Sequence, residues 1–341
     1  MWQSPLPPVL DLSVEYRTAE PQLLPPFLGS ALHGVLGRTL RELACSHPKR
    51  PQCQGCPALA SCGYTELFET PGLLGDAVRG VREQAPRPIA FAAKPLESRA
   101  AGEGHAVPTG TRIGFAVALI GTGPALRLGL LSEALRRAAS FGFGTVETPS
   151  GEWRRGRLVP GVEIRAQQTP SLMPGSRLVE NEGAQSPQAT AQLHIETISP
   201  LRLKAGGRIV STLAPLPLVT ALARRANALS VIHGTGLACV DERLAIEAAR
   251  EIKISNEQIR VRDVRRYSER QQQRMSWPGT EGRAVWRGGG IPALADLLTF
   301  GARVQVGKGT ALGFGRFELR FTSAPGEAES EEGHRVSRSA V

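Results

Sequence analysis

The chain has 341 residues, 41% of them hydrophobic, and a formal net charge of +10 with a pI near 10.0. That length suits two domains of roughly 150 residues each, and no run of about 18 apolar residues offers a membrane span. The opening residues Met1, Trp2, Gln3, Ser4 and Pro5 lack a basic segment followed by an apolar one, so no signal peptide is read and the expected location is the cytoplasm. The 323–341 tail holds four Glu against two Arg, which leaves the body more basic still. A body of this charge, carried by Arg far more than by Lys, attracts polyanions and suits bidentate phosphate contacts and stacking on bases.

Residues 9–16 alternate apolar and polar, with Leu10, Leu12, Val14 and Tyr16 in step, and predict a half-buried strand. Pro25 and Pro26 are placed to open a helix, whose stripe is Leu28, Leu32, Val35, Leu36, Leu40 and Leu43. Segments 89–93 and 113–120 read as strands and 126–139 as a helix with Arg136 and Arg137 near its end. A strand-like stretch with Trp153 and Leu158 follows Phe141-Gly142-Phe143-Gly144.

The second half repeats this order. A strand at 191–198 precedes a helix at 213–232 containing Arg224 and Arg225. Segments 252–264 and 282–287 form a hairpin with a long polar connection. A short helix at 291–300 and a glycine-rich turn leading to a strand within 303–321 complete the half. The predicted class is α+β, with two tandem ferredoxin-like (RRM-like) βαββαβ units. The boundaries read as an N-terminal domain over 1–166, a Pro-, Ser-, Gln- and Gly-rich linker over 167–188, a C-terminal domain over 189–322, and a disordered tail over 323–341.

Four of the five cysteines, Cys45, Cys53, Cys56 and Cys62, fall in one loop at 45–62. Their spacing supplies four soft ligands, including a close pair as in zinc knuckles, and predicts a structural zinc or an iron–sulfur cluster. The alternative is four free thiols. Pro48, Pro51 and Pro57 suit a loop that a metal, rather than a core, holds together, and His47 could replace one thiolate.

The segment Gly307-Lys308-Gly309-Thr310-Ala311-Leu312-Gly313-Phe314-Gly315-Arg316 brings four glycines beside two cations. Backbone amides there could approach phosphates closely, or the glycines could serve a tight turn. It is not a P-loop, because no Gly-Lys-Ser/Thr stands at the required distance. Upstream, Arg260, Arg262, Arg265, Arg266, Arg270, Arg274, Arg283 and Arg287 face only Asp263, Glu269 and Glu281, with Tyr267 and Trp277 interleaved. Arg260 and Arg262 share one face of a strand, and the aromatics could stack on unpaired bases.

In context, the glycine-rich segment resembles the C-terminal loop of the RAMP superfamily, in particular the CRISPR-associated precursor-RNA processing endoribonucleases, the sixth Cas family. Three further stretches carry the likeness: Arg266-Tyr267-Ser268-Glu269-Arg270-Gln271 with Met275 and Gly282, the run from Gly29 through His33 to Gly37, and the cysteine loop running into Gly63-Tyr64-Thr65-Glu66-Leu67-Phe68-Glu69. The resemblance implies binding of CRISPR repeat RNA and cleavage of precursor crRNA without metal, leaving a 2′,3′-cyclic phosphate. It also implies contact with other Cas effector subunits and no membrane. A non-catalytic subunit gripping crRNA in an effector complex is the other reading.

Cleavage of this kind needs a base for the 2′-hydroxyl, an acid for the leaving oxygen and cations for the phosphate. Of six histidines, His33 stands at the edge of the first helix's apolar stripe, near Ser30, Gly37 and Arg41. In related endoribonucleases the catalytic His lies on or just after this helix, which by resemblance selects His33 or His47. Tyr16, Arg38 and Lys49 are assisting candidates. His194 reads as core, His334 lies in the tail, and His105 and His233 have no partner in the sequence pattern.

Overall fold

The computed structural model describes residues 1–50, 52–70, 85–93, 104–168, 191–268 and 273–323. In chain order the strands and helices are β1 (Val9–Arg17), β2 (Gln22–Leu24), α1 (Leu28–Ala44), α2 (Gly63–Leu67), β3 (Ile89–Ala93), β4 (His105–Val107), β5 (Arg112–Ile120), α3 (Thr122–Ala125), α4 (Leu128–Ala138), β6 (Thr145–Glu147), β7 (Trp153–Arg155) and β8 (Glu163–Gln168). The second half supplies β9 (Ala191–Thr197), β10 (Lys204–Ala205), β11 (Arg208–Ile209), α5 (Pro215–His233), α6 (Glu242–Arg250), β12 (Lys253–Ser268), β13 (Gln273–Arg287), α7 (Ile291–Val304) and β14 (Phe317–Ser323).

Each half is built on an antiparallel four-stranded sheet, ordered β3-β5-β1-β8 and β12-β13-β9-β14, and the first half adds a smaller four-stranded sheet, β4-β2-β6-β7. Counting only the strands of each main sheet, both have the order second, third, first, fourth, with a helix after the first strand and after the third. That connectivity is the ferredoxin-like βαββαβ arrangement. Gln167 and Gln168, expected in the linker, instead pair with Asp11 and Leu10 at the end of β8. The rest of the expected linker and the tail beyond Ser323 lie outside the described residues. No helix among the described residues is long and apolar enough to cross a membrane.

The alternation read in β1 is realised: Leu12, Val14 and Tyr16 are buried together with the α1 stripe Leu28, Leu32, Val35, Leu36 and Leu40. The helix starts later than the prolines suggest, with Phe27 at its N-cap. Pro25 and Pro26 occupy the turn between β2 and α1 rather than the first helical turn. α6 was not legible as a helix. Asp241 caps it by accepting from the Arg243 and Leu244 amides, a start signal hidden by the short apolar pattern that follows.

The two cores are not independent. One gathers Leu12, Tyr16, Phe91 and Phe115 under α1 and α4. The other joins α5, α6 and α7 to Leu6, Val9, Ala90, Ala118 and Ile120 of the first half. β3 therefore buries both faces, Ile89 and Phe91 to one core and Ala90 to the other, which is why its sequence is apolar without a break. Arg303 of α7 closes the seam with Asp11 at 2.7 Å and donates to the Val9 carbonyl at 2.8 Å. The chain start joins the second half too: Gln3 N donates to Cys239 O and Asp241 N to Met1 O.

Candidate catalytic cleft and nucleic-acid interface

Because α1 turns its leucines inward, its remaining residues form one wall of an open cleft of about 340 Å³ lined by His33, Gly34, Gly37, Arg38, Arg41, Tyr64 and Phe68. The Phe68 ring fills the space that a Cβ on Gly37 would need. His33 stacks on that ring at 4.6 Å and 24°, and Tyr64 lies 5.7 Å from it on centroids. Arg87 sits over the same ring at 4.9 Å, with its Nη1 3.4 Å from His33 Nε2. A guanidinium has no acceptor, so this long contact needs a neutral His33 ring that carries its proton on Nδ1.

Sequence reasoning missed Arg87. The signal was available in its setting, Pro86-Arg87-Pro88, since a residue before proline is held extended. Both proline carbonyls are pinned. Pro86 O accepts from His233 Nε2 at 2.8 Å, and Pro88 O accepts from Ile120 N at 2.7 Å. Burial lowers the Arg87 pKa, with nearby Glu69 acting in the opposite sense. Burial likewise lowers the His233 pKa below its usual value, so this histidine, which ends α5, is a neutral strut between the halves.

The other histidines divide. His47 lies in the cysteine loop with Nδ1 2.9 Å from Ser46 Oγ, outside the cleft lining. The loop is tied back to α1 by Arg41, which donates to the carbonyls of Pro48 and Arg50. His194 is not core. It shares the outer face of β9 with Gln192, 2.8 Å away, because Leu193 and Ile195 take the inner face. Tyr16 is not an assisting group. It is 1% exposed, donates to Leu135 O at 2.8 Å, and burial lifts its pKa above the usual phenol range. Arg38 lies 4.3 Å over the Phe141 ring and pairs with Glu42 at 2.9 Å. Lys49 is exposed.

Cys45, Cys53, Cys56 and Cys62 are half-buried and free. Cys53 and Cys62 pack against the first core, and Cys62 Sγ lies 3.6 Å from Ala44 O. Desolvation and nearby Glu69 push the Cys53 thiol up to about 12. The donor chemistry fits zinc. Among the described residues, however, no group of three or more His, Cys, Asp or Glu is placed to hold a metal ion.

In the second half, β12 and β13 pair from Lys253–Arg287 to Ser268–Gln273. The connection expected to be long and polar is therefore ladder almost to its tip. β9 pairs only with residues 283–287 of β13, so the outer hairpin extends past the sheet and rests instead on the glycine-rich turn, with Val264 buried against Leu312 and Phe314. Arg260 and Arg262 share a face, as expected, and both bind Glu281, at 2.9 and 3.0 Å. Their charge is thus partly met within the protein, while Ile259 and Val261 stand exposed on the opposite face. Arg265, Arg266 and Arg274 lie on the two strands, but their side chains, and the whole of Arg270, lie outside the described residues.

The glycine-rich turn wedges between the halves. Gly307, Gly309, Gly313 and Gly315 all have φ between 81° and 90°, the left-handed region that side chains avoid. The amides of Lys308, Leu312, Gly313, Phe314 and Gly315 donate to backbone carbonyls, and that of Arg316 to Ser199 Oγ at 2.9 Å. Few amides therefore remain for a phosphate. Lys308 is exposed, whereas Arg316 is half-buried, with Asp11, Glu318 and Arg303 nearby, and desolvation lowers its pKa. The turn's far side meets α1: a Cβ on Gly313 would lie 3.0 Å from Phe91 O and 3.3 Å from Gly29 Cα.

Residues 195–317 match the family model of the CRISPR-associated endoribonuclease Cas6, and residues 6–181 match the AF_1859_N model, an N-terminal domain. No curated protein matches the chain. Among solved structures, a Cas6 product complex is 15% identical with a TM-score of 0.49, covering 92% of this chain and 100% of that one. Thermus thermophilus Cas6 is 14% identical with a TM-score of 0.46, over 92% and 99%. A RAMP protein binding different RNA substrates is 12% identical with a TM-score of 0.49, over 92% and 99%.

Proposed function

We propose that the chain is a CRISPR-associated endoribonuclease of the Cas6 kind, a reading supported by the match of residues 195–317 to that family's model. It binds CRISPR repeat RNA across the basic hairpin and the glycine-rich turn and cleaves precursor crRNA at the α1 cleft. The observation that carries this reading is the contact between Gly313 of the turn and Gly29 of α1, one helical turn before His33. RNA held by the family-matched half is thereby delivered to the wall that bears the histidine.

In this mechanism the ribose 2′-oxygen attacks the adjacent phosphorus, the bond from phosphorus to the 5′-oxygen breaks, and a 2′,3′-cyclic phosphate remains. His33 takes the 2′-hydroxyl proton or supplies one to the leaving oxygen. Arg38 and Arg41 on the cleft wall offset the charge gathering on the phosphate. His47 is the alternative proton carrier. The reaction needs no metal, so a purified preparation is expected to cut its repeat RNA in excess EDTA, with added Mg²⁺ giving no acceleration. An uncut RNA that is nonetheless tightly bound would favour the crRNA-gripping effector subunit instead. The packing of His33 between Phe68 and Arg87 is what keeps that second reading alive. Other Cas subunits are the expected partners, in the cytoplasm.

The thiols of Cys45, Cys53, Cys56 and Cys62 would hold one structural zinc, or an iron–sulfur cluster, stiffening the loop behind the cleft. Elemental analysis of protein purified without a metal-affinity step is expected to find about one zinc per chain, from the four-thiolate stoichiometry of such sites. Protein free of both zinc and iron would remove this assignment.

A further inference from the structure

The segment before the β10–β11 hairpin places an arginine beside the glycine-rich turn. Arg202 lies with its guanidinium 4.5 Å over the Trp277 ring and 5.9 Å from the Phe314 ring. Its backbone is locked to the turn, pairing with Gly307 in a parallel bridge and accepting from Lys308 N at 2.8 Å. Three glycines make room for this stack. A Cβ on Gly279 would meet Arg202 Cγ at 3.1 Å, one on Gly307 would meet Arg202 O at 2.6 Å, and one on Gly309 would meet Trp277 at 2.9 Å.

The charge so placed is poorly answered. Arg202 Nε is buried with no hydrogen-bond partner, and among the described residues no carboxylate lies within ion-pair distance of the guanidinium. Asp263, the acidic group near enough to act on it, is hydrogen-bonded to Ser276 at 2.6 Å. Leaving a desolvated donor unsatisfied is costly unless a ligand completes it. Cation–π contact fixes the plane and leaves the edge of the fork as the binding element. The exposed Lys308 stands on the adjoining backbone.

We propose that Arg202, seated on Trp277 and seconded by Lys308, is a phosphate-binding site for the RNA backbone. The glycines of the turn thus serve RNA chiefly by seating a cation, and only secondarily through their amides. This rests on the RNA-binding part of the proposed function. Arg is suited to the role because its fork grips a phosphate bidentately.

The experiment measures binding of a labelled CRISPR repeat RNA, and of single-stranded DNA of the same sequence, over a series of salt concentrations. Arg202→Gln is expected to weaken both ligands about tenfold at low salt, the worth of a charged hydrogen bond. It should also reduce the slope of log K against log salt by about 1, with an unchanged unfolding temperature. Arg202→Lys should keep the slope while losing part of the affinity. Should Arg202→Gln fail to fold, the lysine variant decides, since affinity equal to wild type would overturn the site. Wild-type slope and affinity in Arg202→Gln would overturn it while leaving RNA binding intact. A wild-type protein that binds no repeat RNA would overturn the proposed function and this site together.

Discussion

Replacing His33 by alanine is expected to lower the single-turnover cleavage rate by about 100- to 10,000-fold, the worth of one acid or base role, while repeat-RNA affinity changes by no more than about threefold, well under one charged hydrogen bond. The split follows from geometry. His33 lines the cleft on α1, whereas the hairpin and the glycine-rich turn that would carry affinity belong to the other half. Its ring also stacks on Phe68, so alanine leaves a gap, and His33→Gln should accompany it as the size-conserving control. Both variants should lose cleavage if the imidazole moves a proton. Cleavage retained by glutamine and lost by alanine would mean that the ring only packs. Full cleavage by both would sink His33 and move attention to His47.

What the sequence revealed, and what it hid, divides along a physical line. The stripe Leu28 to Leu40 and the alternation of β1 were legible because burial on one face writes a period into the chain. The repeated strand and helix order was legible for the same reason. The outer hairpin was not, because among the described side chains of residues 259–268 and 273–282 only isolated ones such as Val264 and Thr280 are buried. So sparse a buried set writes no sustained alternation into the sequence. Arg87, His233 and Arg202 were hidden for another reason: each acquires its place from a segment far away in sequence. His233 finds Pro86 across the seam, and Arg202 finds Trp277 across the sheet. Long-range partners of single polar residues leave no local pattern to read.

The seam itself changes how the two halves should be regarded. Two repeats in a chain suggest two units, each with a private core. Here Ala90, Ala118 and Ile120 of the first sheet belong to the core of the second half, and the small side chains let α7 approach the first sheet closely. Arg225, half-buried and drawn down to about 10 by desolvation, spends its donors on the Val304 carbonyl at 2.9 and 3.1 Å. It therefore caps α7 where the helix dipole is negative. Cleft and turn are consequently fixed to one another by shared core, ion pair and buried strut, as the proposed division of cleavage to one half and RNA binding to the other requires.

Gly313→Val tests that rigidity most severely. The position holds φ at +90°, so any side chain incurs about 1–2 kcal/mol from the left-handed backbone. Its Cβ would press on Phe91 O at 3.0 Å and Gly29 Cα at 3.3 Å, backbone atoms that cannot rotate aside, and overpacking of this kind costs typically about 1–3 kcal/mol. The combined loss of about 2–5 kcal/mol should lower the unfolding temperature by roughly 3–7 °C for a molecule of this size. Gly34→Ala is the matched control of opposite sign. It sits mid-helix with nothing within 4 Å of its Cβ, and alanine there should raise stability by about 0.5–1 kcal/mol. If Gly313→Val instead melts with the wild type, the turn does not dock on α1 in solution. The route by which RNA reaches His33 would then lose its physical basis. If it melts early as expected, cleavage measured well below its transition should still fall further than RNA affinity, because valine pushes the turn off the helix that carries the histidine.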